Sequence, residues 1–305
     1  MAVNKFRSTK TLVIGHVIAL ICISIWGVSF VSTKVLLNIG MQPVEIYIYR
    51  FVLAYVLVLF VSHNRLFCGT WRDEALMILC GLLGGSVYFL AENFALRYTL
   101  VSNVSLISST SPLITAFLVG FLYKTDRLSK GMIIGSLIAF IGVGCVIFNS
   151  SFSLEINPLG DFLSLACAFG WALYSLLIRQ LNVNYDAWFI SRKTFFYGVI
   201  TALPFLFVEP PKFTFLQIFT NVDALINIAF LGIGASMIAY VLWAITIKRV
   251  GAVKANNYIY LQPIVTLIVS VVALGEKVTV VGYVGCAMIL FGVWFGEYLS
   301  RRARF

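Results

Sequence analysis

Charge is scarce in this chain, because only 11% of its 305 residues are charged whereas 61% are hydrophobic. Soluble domains carry roughly 25% charged and about 45–50% apolar residues. A soluble fold of this length could not cover so much apolar surface. A lipid bilayer can, since its core is itself an apolar solvent. The composition therefore predicts an integral membrane protein.

Residues suited to catalysis or metal binding are also few. The chain has two histidines and six cysteines, and the cysteines form no CxxC pair or other metal-ligand spacing. No glycine-rich phosphate loop is present, and the connections between apolar segments are too short to hold a nucleotide-binding domain. We therefore expect neither an enzyme nor an ATP-driven pump, and no metal or cofactor.

Ten segments are apolar enough to cross about 30 Å of hydrocarbon as helices of about 20 residues each. The first begins after a short basic tail and is too long for a cleaved signal sequence, so we interpret it as a retained span. The predicted spans lie near residues 11–37, 43–62, 75–97, 101–123, 131–149, 159–180, 187–208, 224–247, 251–274 and 278–299.

The net charge of +10 comes from short loops beside these apolar segments. Most lysines and arginines fall on the side of the N-terminus, and only Arg97, Lys212 and Lys277 fall on the opposite side. Because cytoplasmic loops carry an excess of positive charge, both basic tails, 1–10 and 300–305, are predicted to be cytoplasmic. This distribution requires no nucleic-acid partner.

The chain repeats itself loosely at a spacing of about 150 residues. Each half, 11–149 and 159–299, holds five predicted spans, an odd number, so the second half must be inverted in the membrane. Inverted repeats permit two states that open to opposite sides of one central site. A duplication kept for folding alone is the alternative. The matched positions are 126–129 with 276–279, Pro112 with Pro263, Gly135 with Gly285, Gly142 with Gly292 and, less strictly, Trp26 with Trp171.

An ordered set of short motifs covers nearly the whole chain. The motifs are Trp-Gly-Val-Ser-Phe at 26–30 with Lys34, Arg-Phe at 50–51, Ala-Leu-Arg-Tyr-Thr at 95–99, Gly-Asp at 160–161, Trp-Ala-Leu-Tyr at 171–174, Ala-Tyr at 239–240 and Leu-Gly-Glu at 274–276. Together they resemble the EamA-type branch of the drug/metabolite transporter superfamily. The resemblance implies ten helices in two five-helix repeats, and export or exchange of amino acids or other small metabolites.

The ionisable residues considered as transport candidates are Lys34, Arg50 and Glu92, within predicted spans, and Glu45, near a helix start. Such a residue costs roughly 2.5–3.5 kcal/mol on insertion scales, so it usually faces the bundle interior with a partner. One interpretation is a buried network of mutually neutralising charges. The other is that Glu92 binds a substrate amine or a coupling proton.

Aromatic and polar side chains share faces of several predicted spans. Hydrocarbon offers such groups no hydrogen bonds, so we predict that they line a central polar cavity with aromatic walls. Hydrogen bonding between helices, worth about 0.6 kcal/mol per pair, is the alternative. The predicted cavity residues are Trp26, Phe30, Tyr88, Glu92, Asn93, Trp171, Tyr174, Ser175, Tyr240, Trp243, Asn256 and Tyr260.

Pro112 and Pro263 each remove a backbone hydrogen bond within a helix. They are predicted either to act as paired hinges or to fix two kinks.

These expectations combine into an alternating-access secondary transporter for a small metabolite in the cytoplasmic (inner) membrane. Its partners are a small-molecule substrate and the lipid bilayer. Coupling to a proton or a counter-substrate stays open, as does the choice between monomer and homodimer. The alternatives are a channel, a lipid-translocating carrier and an intramembrane enzyme.

Overall fold

The computed structural model describes residues 9–98, 101–122, 130–147, 157–274 and 278–302. Within these ranges the chain is helical and contains no strand. A π-helical segment, Leu82–Val87, joins the third and fourth helices of the first half. The helices of this half are α1 (Thr9–Asn38), α2 (Pro43–Val61), α3 (Trp71–Gly81), α4 (Tyr88–Tyr98), α5 (Val101–Ser108), α6 (Ser111–Leu122) and α7 (Lys130–Ile147).

The second half contains more interruptions. A π-helical segment, Phe230–Ile238, joins α12 to α13, and a 3-10 segment, Tyr258–Leu261, joins α14 to α15. The helices are α8 (Pro158–Leu181), α9 (Ala187–Ala202), α10 (Phe205–Val208), α11 (Phe215–Thr220), α12 (Val222–Ala229), α13 (Ala239–Val250), α14 (Ala252–Asn257), α15 (Gln262–Leu274) and α16 (Val280–Arg302).

Six helical stretches of the described chain are long and apolar enough to cross a membrane, judged by length and composition. Two shorter apolar helices, Leu106–Leu122 and Val280–Gly296, accompany them. The prediction of an all-α, multi-pass membrane protein is confirmed to this extent. Ten spans and two cytoplasmic termini stay predictions. The six stretches are Thr11–Asn38, Pro43–Val61, Trp71–Ala95, Lys130–Ile147, Pro158–Leu181 and Val222–Val250.

Local sequence explains where several helices begin and end. Pro43 occupies the first turn of α2, where a missing N–H costs nothing, and Gln42 and Glu45 form a capping box around it. Gly251 separates α13 from α14 with a φ of 91°, a conformation that glycine adopts without steric penalty.

Both prolines that were predicted to perturb helices follow an interruption. Residues 109–110 form a turn, and Pro112 lies in the first turn of α6. The 3-10 segment Tyr258–Leu261 ends just before Pro263, which lies in the first turn of α15. The two halves are therefore interrupted at matching places. Whether these places act as hinges stays a prediction.

Helices α7 and α16 cross at four glycines that come from both halves. A Cβ atom on Gly135 would lie 2.5 Å from the carbonyl oxygen of Gly292, and one on Gly292 would lie 2.5 Å from that of Gly135. Gly142 and Gly285 oppose each other in the same reciprocal way, at 2.7 Å. Only glycine permits so close a backbone approach. The same helices also expose large apolar side chains, as a lipid-facing surface requires.

Some predicted features lie outside the described residues. They are residues 1–8 and 303–305 of the tails, the repeat motif at 126–129 and its counterpart at 276–277. The side chains of Phe30 and Lys34 also lie outside the described part, although their backbone belongs to α1.

Candidate substrate-binding centre

Five of the predicted cavity residues form one buried group of rings, which we call the central aromatic cluster: Trp26, Trp171, Tyr174, Tyr240 and Trp243. Trp26 lies 5.0 Å from Trp171 and 5.1 Å from Trp243, centroid to centroid. Tyr174 lies 5.3 Å from Trp171 and 5.8 Å from Tyr240. All five side chains are buried. Helices α1, α8 and α13 therefore meet through rings from both halves of the chain.

The two π-helical segments position this cluster. The Tyr240 hydroxyl donates to the carbonyl oxygen of Gly84, in the first segment, at 2.6 Å. The indole N–H of Trp26 donates to the carbonyl oxygen of Ala235, in the second, at 2.9 Å. Gly84 also faces the ring of Tyr174, and a Cβ there would lie 2.4 Å from that ring. Wider π-helical turns, often found at functional sites, thus supply the acceptors for two cluster residues.

Several predicted cavity residues carry a buried polar atom without a hydrogen-bond partner among the described residues. Leaving such a group unpaired costs about 1–3 kcal/mol, so each one requires an explanation. The Tyr174 hydroxyl lies near Thr194 and that of Tyr260 near Ser136, but neither pair has hydrogen-bonding geometry. The orphaned atoms are Trp171 Nε1, Trp243 Nε1, Tyr174 OH, Ser175 Oγ, Asn256 Oδ1 and Tyr260 OH.

Two buried charges adjoin the cluster. Arg50 Nε donates to Ser236 Oγ at 2.9 Å, and its guanidinium lies 4.5 Å from the centre of the Phe89 ring. Glu92 is also buried; the charge of Arg50 acts on it, and the Tyr88 hydroxyl is close enough to donate a hydrogen bond to it. Tyr88 lies 5.1 Å from Trp171, which links these charges to the cluster. No described side chain forms an ion pair with either Arg50 or Glu92.

A cavity of about 370 Å³ lies at the end of the bundle where α2 begins. The Asn93 amide donates to the carbonyl oxygen of Pro43 at 3.3 Å inside it. The buried carboxylate of Glu45 accepts backbone N–H groups from Gln42, Lys212 and Phe213, and thereby holds the segment after α10 against α2. Glu45 is thus a backbone anchor and belongs to no described ion pair. The cavity is lined by Leu37, Gly40, Met41, Gln42, Pro43, Asn93 and Lys212.

A second carboxylate anchor, which we call the Glu74 lock, lies at the opposite end of α2. Glu74 accepts hydrogen bonds from the Lys193 ammonium, the Tyr197 hydroxyl and the backbone N–H of Cys68. Arg192 donates to the carbonyl oxygens of residues 62 and 65. The segment 62–70 after α2 is thereby fastened to the beginning of α9.

Sequence reasoning missed this lock. Arg192 and Lys193 belong to the basic residues that were counted as loop charges on the side of the N-terminus, but their side chains are only 2% and 4% exposed. That treatment is wrong because charge alone does not report burial. Their position inside the predicted span 187–208 was the available signal. Next to the lock, Tyr185 donates to Asp73 at 2.8 Å, and burial together with that carboxylate raises the pKa of Tyr185 to about 12.

Not all predicted cavity residues come together. Tyr260 packs against Ala139, Val143 and Ile289, in a separate buried group formed with α7 and α16. Asn256 donates to the carbonyl oxygen of its own helix at residue 252, at 2.9 Å. The structure therefore groups Trp26, Tyr88, Glu92, Trp171, Tyr174, Tyr240 and Trp243, while Tyr260 lies elsewhere.

The chain is similar to known transporters along nearly its whole length. The sequence model of the EamA-like transporter family matches residues 13–148 and again residues 158–296. An uncharacterized transporter of Archaeoglobus fulgidus is 27% identical, over 92% of this chain and 96% of that protein. A "probable amino-acid metabolite efflux pump" of Salmonella typhimurium is 26% identical, over 94% and 97%. One crystal structure, 20% identical, matches with a TM-score of 0.78 over 97% of this chain and 99% of its own.

Proposed function

The chain belongs to the EamA-like transporter family, and we propose that it is a secondary transporter that exports or exchanges a small amphiphilic metabolite, such as an amino acid, across the cytoplasmic membrane. Its relatives in Salmonella typhimurium and Escherichia coli are named as amino-acid metabolite efflux pumps. The family and these names indicate a transporter and not an enzyme.

The proposed mechanism is alternating access between two inverted repeats, 11–149 and 159–299, each with five spans. Two separate matches to one family model support the duplication. The glycine crossing supports the inversion. Gly135 and Gly142 match Gly285 and Gly292 in sequence, yet Gly135 opposes Gly292 and Gly142 opposes Gly285. Such reciprocal contacts are those of a two-fold axis perpendicular to both helices, which is the axis of an inverted repeat.

The two ends of α2 support different roles for the two membrane faces. The positive-inside distribution assigns the end that carries the Glu74 lock to the cytoplasm. The cavity beside Asn93 then opens to the outside. We propose that this conformation is closed towards the cytoplasm by the lock, and that the cavity is the outer vestibule of the transport path.

One observation carries the proposal: the central aromatic cluster lies between the halves and holds unpaired buried donors and acceptors. A transported solute with hydrogen-bonding groups and an apolar part would satisfy them. The rings fill the space between α1, α8 and α13, which favours a carrier over a channel with a continuous polar path.

Counterflow in proteoliposomes tests this function. Vesicles loaded with an unlabelled amino-acid mixture should accumulate the labelled amino acids transiently, with a saturable rate. Trp171→Phe should lower that rate, because it removes a donor and reshapes the cluster. Trp71→Phe is the matched control, since Trp71 is 90% exposed. Flux that never saturates would indicate a channel. Absence of counterflow with amino acids, nucleosides and sugars alike would contradict transport of such metabolites.

A further inference from the structure

The side chains of Arg50 and Glu92 form a pair of buried, opposite and separated charges. Both are at most 6% exposed. They act on each other electrostatically, yet they are too far apart for an ion pair. Burying an uncompensated charge is strongly unfavourable. A solute that carries both complementary charges would compensate both residues at once.

The hydrogen bonds of Arg50 leave part of its guanidinium available. Its Nε atom donates to Ser236, and no other described hydrogen bond engages the group. The two terminal nitrogens can therefore donate in parallel, and this fork matches the two oxygens of a carboxylate. Ser236 lies in the π-helical segment Phe230–Ile238 and fixes the direction of the fork. Ser236 is thus a positioning residue.

The Glu92 carboxylate supplies the other pole. It is buried beside Tyr88, whose hydroxyl can donate one hydrogen bond to it, and it belongs to no described ion pair. Asn93, the next residue on α4, lines the outer cavity. The remaining surroundings are aromatic, namely Phe89 beneath Arg50 and Trp171 beside Tyr88.

We propose that Arg50 and Glu92 form a two-pole site in which Arg50 binds the carboxylate of a zwitterionic solute and Glu92 binds its ammonium group. This inference rests on the proposed transport function. An α-amino acid carries both charges on one carbon, so a single small molecule offers a partner to each pole. Its side chain then lies against the aromatic rings. Solutes with only one of the two charges leave one protein charge buried and uncompensated.

Binding measurements on the purified full-length protein test the two poles separately. The probes are the proteinogenic L-amino acids, followed by the carboxamide and the N-acetyl derivative of the one that binds most tightly. Quenching of the clustered tryptophans reports the Kd, and the melting temperature reports folding. The wild type should bind the amino acid about 10- to 100-fold more tightly than either derivative, because each derivative loses a charge-assisted contact.

The variants should separate the derivatives. Glu92→Gln should weaken the binding of the amino acid and of its amide about 10- to 100-fold but leave the binding of the N-acetyl derivative unchanged. Arg50→Gln should weaken the binding of the amino acid and its N-acetyl derivative but leave the binding of the amide unchanged. Arg50→Lys, which keeps the charge but loses the two parallel donors, should have an intermediate effect. Arg72→Lys and Asp223→Asn, both at exposed positions, are the controls.

Three outcomes would overturn the two-pole site. The first is equal wild-type affinity for the amino acid and either derivative, a result that depends on no variant. The second is a uniform loss for all three compounds in both variants, as a purely structural role would give. The third is saturable counterflow of other solutes by a protein that binds no amino acid. That result would contradict the two-pole site but not the proposed transport function. Absence of counterflow for every solute would instead overturn the transport function itself.

Discussion

Replacing Glu74 with glutamine is expected to activate the thiol of Cys68. Cys68 lies in the segment 62–70 that the Glu74 lock fastens to α9, and its backbone N–H donates to Glu74 at 2.7 Å. Burial, and then the neighbouring carboxylate, raise the pKa of the Cys68 thiol from 9.0 to about 11. Glutamine removes the negative charge and the ion pair with Lys193. The segment should then loosen, and the thiol should ionise more readily.

The size of the effect follows from the thiolate fraction. A pKa of about 11 in place of 9.0 lowers the thiolate fraction at neutral pH about 100-fold. A more basic thiolate is also a stronger nucleophile. With a Brønsted slope of about 0.4–0.5, the rate constant of the thiolate itself rises close to tenfold, which offsets part of the loss. The wild-type thiol should therefore react about tenfold more slowly than an ordinary one. Glu74→Gln removes the carboxylate but not the burial, which is the larger cause of the raised pKa, so it should recover part of that factor, and the rest only where the loosened segment exposes the thiol.

Alkylation by iodoacetamide at pH 7.4, followed by mass spectrometry of the peptide that contains Cys68, measures this rate. Cys145 on α7 is the internal reference, and Asp223→Asn is the matched control, since Asp223 is an exposed acid outside the lock. The wild-type rate should rise with pH up to about 11, and the rate of the variant should level off at a lower pH. An unchanged rate and pH profile in a variant of normal melting temperature would refute the lock as described.

Four further substitutions, one of them a control, test the centre and the helix crossing. Trp243→Phe removes an indole N–H that is buried without a described partner, so the melting temperature of the ligand-free protein should stay level or rise, while solute affinity should fall. If both the melting temperature and the affinity fell, Trp243 would have a structural role instead. Gly84→Ala should lower stability by about 1–3 kcal/mol in a detergent melting assay, because its Cβ would lie 2.4 Å from the Tyr174 ring. Gly142→Ala should do the same at the α7–α16 crossing, whereas Gly144→Ala, whose Cβ would lie 3.9 Å from the nearest atom, should not. Equal losses in all three glycine variants would contradict the packing argument.

Much of the fold is readable from the sequence because lipid imposes a simple rule. Long apolar runs must be helical, and helix starts carry local signals such as Pro43 in the first turn of α2. Interruptions of the helices are only partly predictable from the sequence. Pro112 and Pro263 signal a perturbed helix, and the structure has one just before each. The π-helical segments have no comparable signal, since they depend on how neighbouring helices pack.

The centre was predictable in its members but not in its arrangement. Helical spacing places Trp171 and Tyr174 on one face of α8, but no periodicity states that α1 and α13 bring Trp26 and Trp243 to that face. Contacts between residues that are far apart in the sequence are harder still to predict. Glu74 and Lys193 are separated by 119 positions, and in a charge count Lys193 resembles any other basic residue beside a span.

The ends and the centre of the bundle differ in how well their polar groups are satisfied, and this difference explains how solute binding can drive the proposed cycle. Glu45 and Glu74 each accept three hydrogen bonds, and such bonds to a charged group stabilise a structure by about 1.5–3 kcal/mol each. The orphaned atoms of the centre contribute nothing comparable until a solute meets them. A ligand shifts an equilibrium only through its different affinities for the two states. Arg50 and Glu92 belong to the first repeat, whereas Trp171 and Trp243 belong to the second, so a relative movement of the repeats would change the spacing of the groups that are proposed to hold the solute. Differential affinity follows from that division, because the two charges lie in the first repeat whereas the rings and Ser236, which positions Arg50, lie in the second.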